Sequence, residues 1–131
     1  MTRRTGQFRS DLGRVKGLGS AKEGVAHWWA QRLTALALVP LTIWFVAAVV
    51  AHVGSDHAGM TAWLSSPLSL GLMIAVVVAT FYHAQLGLQV VIEDYIHSEA
   101  GKIALILAVK FANLALGLAA VIALLVIAFG N

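Results

Sequence analysis

Residues 68–92 read LSLGLMIAVVVATFYHAQLGLQVVI, a run without one Asp, Glu, Lys or Arg. At a rise of about 1.5 Å per residue, a helix of this length crosses a hydrocarbon core of roughly 30 Å. Lipid offers no partner to unpaired backbone N–H and C=O groups, so a helix is the form that such a run takes there. Working outward, residues 33–53 and 103–129 are two further runs of the same kind, interrupted only by Lys110. The reading is an all-α integral membrane protein with three transmembrane helices, at 33–53, 68–92 and 103–129. Pro40, with Thr42 nearby, predicts a mild kink in the first.

The composition leads the same way. Of 131 residues, 60% are hydrophobic and 11% charged, too little charge to cover a water-soluble surface. No soluble catalytic domain fits beside three spans, and without an internal repeat residues 1–131 read as a single membrane-anchor domain. The absence of cysteine excludes disulfides, thiolate metal sites and iron–sulfur ligation within the chain. Any redox centre here is therefore held by other side chains.

Arg3, Arg4, Arg9, Arg14, Lys16 and Lys22 all precede the first apolar run, while residues 54–67 carry no Lys or Arg. The positive-inside rule makes residues 1–31 a basic cytoplasmic arm with an interfacial segment, and puts the C-terminus on the periplasmic side. Attraction to anionic headgroups accounts for the arm without nucleic acid. An arm rich in Arg and poor in acid also fits an organelle transit peptide, whereas a cleaved signal peptide would have its apolar stretch nearer the start. Trp28, Trp29 and Trp63 precede spans, where an indole sits at headgroup level. In the third run Ala104, Ala108 and Ala112 form one row of small residues and Ala115, Ala119 and Ala123 another, a pattern that lets helices approach closely.

Four of the five histidines lie in loops or near span ends, whereas His83 falls near the centre of the second run. A polar ring at that depth turns inward, toward a neighbouring helix, a cavity or a cofactor. Ala79 and Gly87 lie one turn before and after it, leaving a shallow groove that suits a flat macrocycle. Haem b iron commonly takes two imidazoles, and one histidine at membrane depth implies a second ligand from another polypeptide. An Nε2 ligand needs an acceptor for its Nδ1–H, for which a backbone carbonyl one turn earlier is the expected candidate.

Eleven residues on from His83, Asp94 returns to within about 20° of the same helix face, some 16 Å along the axis. Tyr95 follows it, and Arg32 opens the first apolar run at what reads as the same membrane level. The three suggest one site at the cytoplasmic mouth of the groove. Arg32 there pairs with either Asp94 or a haem propionate, and the Tyr95 hydroxyl is free to donate to a carbonyl. The plainer reading of each alone is interfacial anchoring.

The segment His83-Ala84-Gln85-Leu86-Gly87, with Gln89 and ending in Asp94-Tyr95, resembles the haem-ligand and quinone-site signature of the succinate dehydrogenase hydrophobic membrane anchor subunits. Trp28-Trp29-Ala30-Gln31-Arg32-Leu33-Thr34-Ala35 is similar to the start of the first helix in that family, and coverage runs from about Gly24 to the end of the third run. The resemblance implies half of a heterodimeric anchor bundle in the bacterial inner membrane, beside a cytochrome b membrane subunit, an iron–sulfur subunit and a flavoprotein subunit. It implies His83 as an axial ligand of haem b, Tyr95 as a hydrogen-bond donor to ubiquinone and Asp94 as its neighbouring acid. Arg32 corresponds to an arginine near the haem propionates or the quinone pocket. His27 lies one position off a family histidine. The chain alone performs no complete reaction. Asp94 either holds an arginine or relays protons, and the haem is either an electron sink or structural glue. Two rival readings are a fumarate reductase anchor and a structural or transport protein whose His83 bonds a neighbouring helix or relays protons.

Overall fold

The computed structural model describes residues 21–130, with side chains from residue 24 onward. The basic residues of the arm up to Lys16 lie outside the described residues. Among the described residues four helices follow one another: α1 (Ala21–Ala51), α2 (His57–Ser65), α3 (Pro67–Tyr95) and α4 (Glu99–Phe129). Of these α1, α3 and α4 are long and apolar enough to cross a membrane, which makes the chain a multi-pass membrane protein.

Two departures from the sequence reading matter most. The first long helix begins at Ala21 rather than residue 33, and runs unbroken through Pro40. Its 31 residues span about 46 Å, well beyond a core of roughly 30 Å, so its first turns stand outside the hydrocarbon. Hydropathy locates where a helix enters lipid, not where it starts. The second difference is α2, a short helix in a stretch that reads as a polar, turn-rich loop. Gly54 turns the chain with φ +88, a conformation costly for any residue with a Cβ. Asp56 then caps α2 by accepting from the Gly59 amide at 2.8 Å. Pro67 occupies the first turn of α3, where its missing N–H costs nothing. Ser98 caps α4 by accepting from the Gly101 amide at 3.2 Å.

The three long helices stand in a row, with α3 in the middle packing on both α1 and α4. Helix α2 packs on α3 and α4, and reaches α1 through Trp63, whose ring stacks on His52 at 4.4 Å and on Trp44 at 6.2 Å. Buried residues are few, with Ser69, Leu70, Leu86 and Ile92 on α3 and Leu124 on α4. The outer faces are apolar and exposed, from Val39 and Ile43 on α1 to Leu114 and Leu118 on α4. Both alanine rows of α4 are exposed as well, and the side that meets α3 carries Val109, Asn113, Gly117, Val121 and Leu124.

At Gly117 a Cβ would stand 3.5 Å from the Phe81 side chain, an ordinary contact with no room for branches beyond it. Gly117→Ala is expected to be tolerated, and Gly117→Leu to lower stability by about 1–3 kcal/mol. Thermal unfolding of the two variants checks this, and equal behaviour would contradict the packing of α4 on α3.

Candidate functional site

His83 lies midway along α3 on the side turned to α1, and is half-buried. Its Nδ1 stands 2.9 Å from the Thr34 hydroxyl, the only hydrogen bond among the described residues that joins two of the long helices. The same hydroxyl lies 2.7 Å from the Ala30 carbonyl and 3.1 Å from that of Gln31. The partner of Nδ1 is thus a side chain of the neighbouring helix, where the sequence suggested a carbonyl of α3 itself. Among the described residues Nε2 has no hydrogen-bond partner. One turn on, a Cβ added to Gly87 would meet nothing within 4 Å, so the chain leaves open space there.

The Thr34–His83 contact fixes the register of two helices that run in opposite directions, and with it the level of the other site residues. Moving from His83 to Asp94 leads about 16 Å toward the amino-terminal end of α1, whereas Arg32 lies only about 3 Å from Thr34 along the axis. Arg32 and Asp94 are therefore separated by about 13 Å along the bundle. Two residues also turn the helix by about 200°, which puts Arg32 on the far side of α1 from Thr34. There it is exposed, with its guanidinium 5.4 Å from the centre of the Trp28 ring. Asp94 and Tyr95 end α3 and are both exposed. Within this chain the three do not converge, because α1 starts well before Arg32 instead of at it. Among the described residues the one ion pair is Lys102–Glu99 at 3.5 Å.

The structure adds His27. It lies seven residues before Thr34, two turns away and within about 20° of the same face of α1. Its Nε2 is buried and has no partner among the described residues. It borders a half-polar cavity of about 560 Å³ shared with Tyr82, Gln85, Gln89, Glu93 and Lys110. Gln89 donates to Glu93 at 2.9 Å across one helical turn. A second groove of about 350 Å³ lies between α3 and α4, lined almost wholly by apolar groups such as Val78, Phe81 and Leu118. Sequence reading set His27 aside because it lies one position off the family histidine. Its seven-residue spacing to Thr34 was the available signal, legible only once the helix is known to extend that far.

A protein-family model described as succinate dehydrogenase/fumarate reductase transmembrane subunit matches residues 6–129. The chain belongs to this family. The succinate dehydrogenase hydrophobic membrane anchor subunit of Rickettsia bellii is 41% identical over 107 residues, covering 81% of this chain and 85% of the relative. That of Paracoccus denitrificans is 33% identical, covering 74% and 75%. The succinate dehydrogenase membrane anchor subunit of Reclinomonas americana is 28% identical, covering 68% and 77%. No solved structure gives a significant match. Like these anchors, the chain is a non-catalytic membrane subunit of a succinate dehydrogenase.

For this family member the separation of Arg32 from Asp94 has an energetic consequence. Arg32→Ala and Asp94→Asn are expected to change the stability of the purified complex additively, within about 0.5 kcal/mol. Thermal stabilities of the two single variants and the double variant supply the cycle, and a coupling well above that value would show that the two groups meet.

Proposed function

We propose that the chain is the membrane anchor subunit of a succinate:ubiquinone oxidoreductase, holding one haem b jointly with a companion cytochrome b subunit and forming part of the ubiquinone-reduction site. The observation that carries the haem assignment is the state of His83. Its Nδ1 is engaged, its Nε2 has no partner among the described residues, and a Cβ added to Gly87, one turn on, would meet nothing within 4 Å. A free imidazole nitrogen at mid-span is the donor that haem iron takes, and the donor set fits. A purely structural histidine would account for the Thr34 contact but gives Nε2 no role. His83 is the one histidine of the chain near mid-span, so a shared site, with the second ligand from another polypeptide, is the form that fits.

When bound, the haem supplies a one-electron carrier between the two membrane subunits. His83 would hold it through Nε2. Arg32 keeps the role that the family resemblance implies, beside a propionate or the quinone pocket, although in this chain its side chain faces away from His83 and lies against Trp28. Tyr95, exposed at the last turn of α3, presents a neutral hydroxyl that donates to a ubiquinone carbonyl, and Asp94 beside it supports that site. Reduction of the quinone to the quinol takes two electrons and two protons, the electrons arriving from succinate through the flavoprotein and iron–sulfur subunits. Lys102 and Lys110 lie toward the same end of the bundle as the start of α1, which supports a cytoplasmic amino terminus and a periplasmic carboxyl terminus in a bacterial inner membrane. The family description also covers fumarate reductases, and the succinate direction rests on the named relatives.

In the purified complex, His83→Ala is expected to abolish the b-type band of the reduced-minus-oxidised spectrum. An unchanged band would overturn haem ligation. Tyr95→Phe is expected to slow quinone reduction on the order of tenfold, the scale of one hydrogen bond, while succinate oxidation by an artificial dye stays intact. Equal loss of both activities would remove Tyr95 from the quinone site.

A further inference from the structure

We infer that Thr34 is a positioning residue that selects the tautomer of His83 and tunes the electron donation of its Nε2. The inference rests on the proposal above that this nitrogen binds haem iron. A threonine hydroxyl has one proton to give. The Ala30 and Gln31 carbonyls, at 2.7 and 3.1 Å, can only accept it. Two oxygens as close as 2.7 Å need a proton between them, so the hydroxyl donates into its own helix. Toward His83, at 2.9 Å, it then has only a lone pair to offer, and Nδ1 must carry the hydrogen. In the neutral ring this leaves the lone pair on Nε2. The reverse tautomer would set Thr34 against Ala30 with no proton between them, and would block Nε2 with a hydrogen.

Three links thus run in one direction. The helical geometry of α1 presents the Ala30 carbonyl to the residue one turn later. The β-branched side chain at that position has few rotamers, so its oxygen is held toward α3. The imidazole then donates its Nδ1–H to that oxygen in a hydrogen bond and leaves the Nε2 lone pair free. An acceptor at Nδ1–H raises ligand basicity, which favours the ferric state and holds the haem potential down. Nothing in this chain needs Thr34 to touch the haem.

The test uses the whole purified complex with Thr34→Val, which keeps the shape and removes the acceptor, and Thr34→Ser, which restores the hydroxyl. Three readouts are taken: the haem midpoint potential, the low-field EPR feature of the ferric haem, and haem retention against an apoprotein competitor. The valine variant is expected to move the potential upward, to shift the EPR feature and to weaken haem retention by about 10–100-fold. Serine is expected to bring all three back toward the parent. Should the valine variant assemble poorly, Thr34→Ala is read in the same way. Unchanged potential, EPR and retention in the valine or alanine variant, with the b-type band lost in His83→Ala, would overturn the role of Thr34 and leave haem ligation standing. A band retained in His83→Ala would overturn both.

Discussion

The hydrogen bond between Thr34 and His83 sets the register on which the rest of the site depends. Its direct worth is small, since such bonds between membrane helices average about 0.6 kcal/mol. Leaving an imidazole nitrogen unpaired at that depth costs more, several kcal/mol in hydrocarbon. The bond therefore matters less as a tie between α1 and α3 than as a constraint on where they can meet. Once Thr34 faces His83, His27 is set beside Gln85 and Glu93, Arg32 is turned away with Trp28, and Asp94 and Tyr95 are left at the far end of α3.

A second constraint comes from how little this chain buries. The outer two long helices each pack on α3, and few side chains are buried among the described residues. Lipid can satisfy many of the exposed apolar faces, and others are open to partner helices, in keeping with membership of a family of complex subunits. The alanine rows of α4, turned away from α3, leave a smooth helix surface on the outside of the row.

Much of this was legible from residues alone, for identifiable reasons. The three spans were, because lipid enforces long uncharged runs and nothing else in the chain looks like one. His83 was, because a lone imidazole amid apolar residues is costly wherever it is idle. The start of α1 was not, because a helix leaving the bilayer through Arg32 and Gln31 loses its apolar signal without losing its hydrogen bonds. That one boundary is why Arg32 read as level with Asp94. Helix α2 was hidden by its nine-residue length, too short for periodicity, with the Asp56 cap as its one clear mark. Thr34 was invisible for a different reason. A threonine in an apolar run looks like any other, and its partner lies 49 residues away in sequence.

The central claim is that iron sits on Nε2 of His83 and is shared with a second chain. The most direct measurement is an experimental structure of the intact complex, purified in its membrane environment. The account predicts a porphyrin against this imidazole, with Thr34 behind the ring and the opposite axial ligand supplied by another polypeptide. A ring of His83 facing acyl chains or a bare neighbouring helix, with no porphyrin beside it, would contradict it.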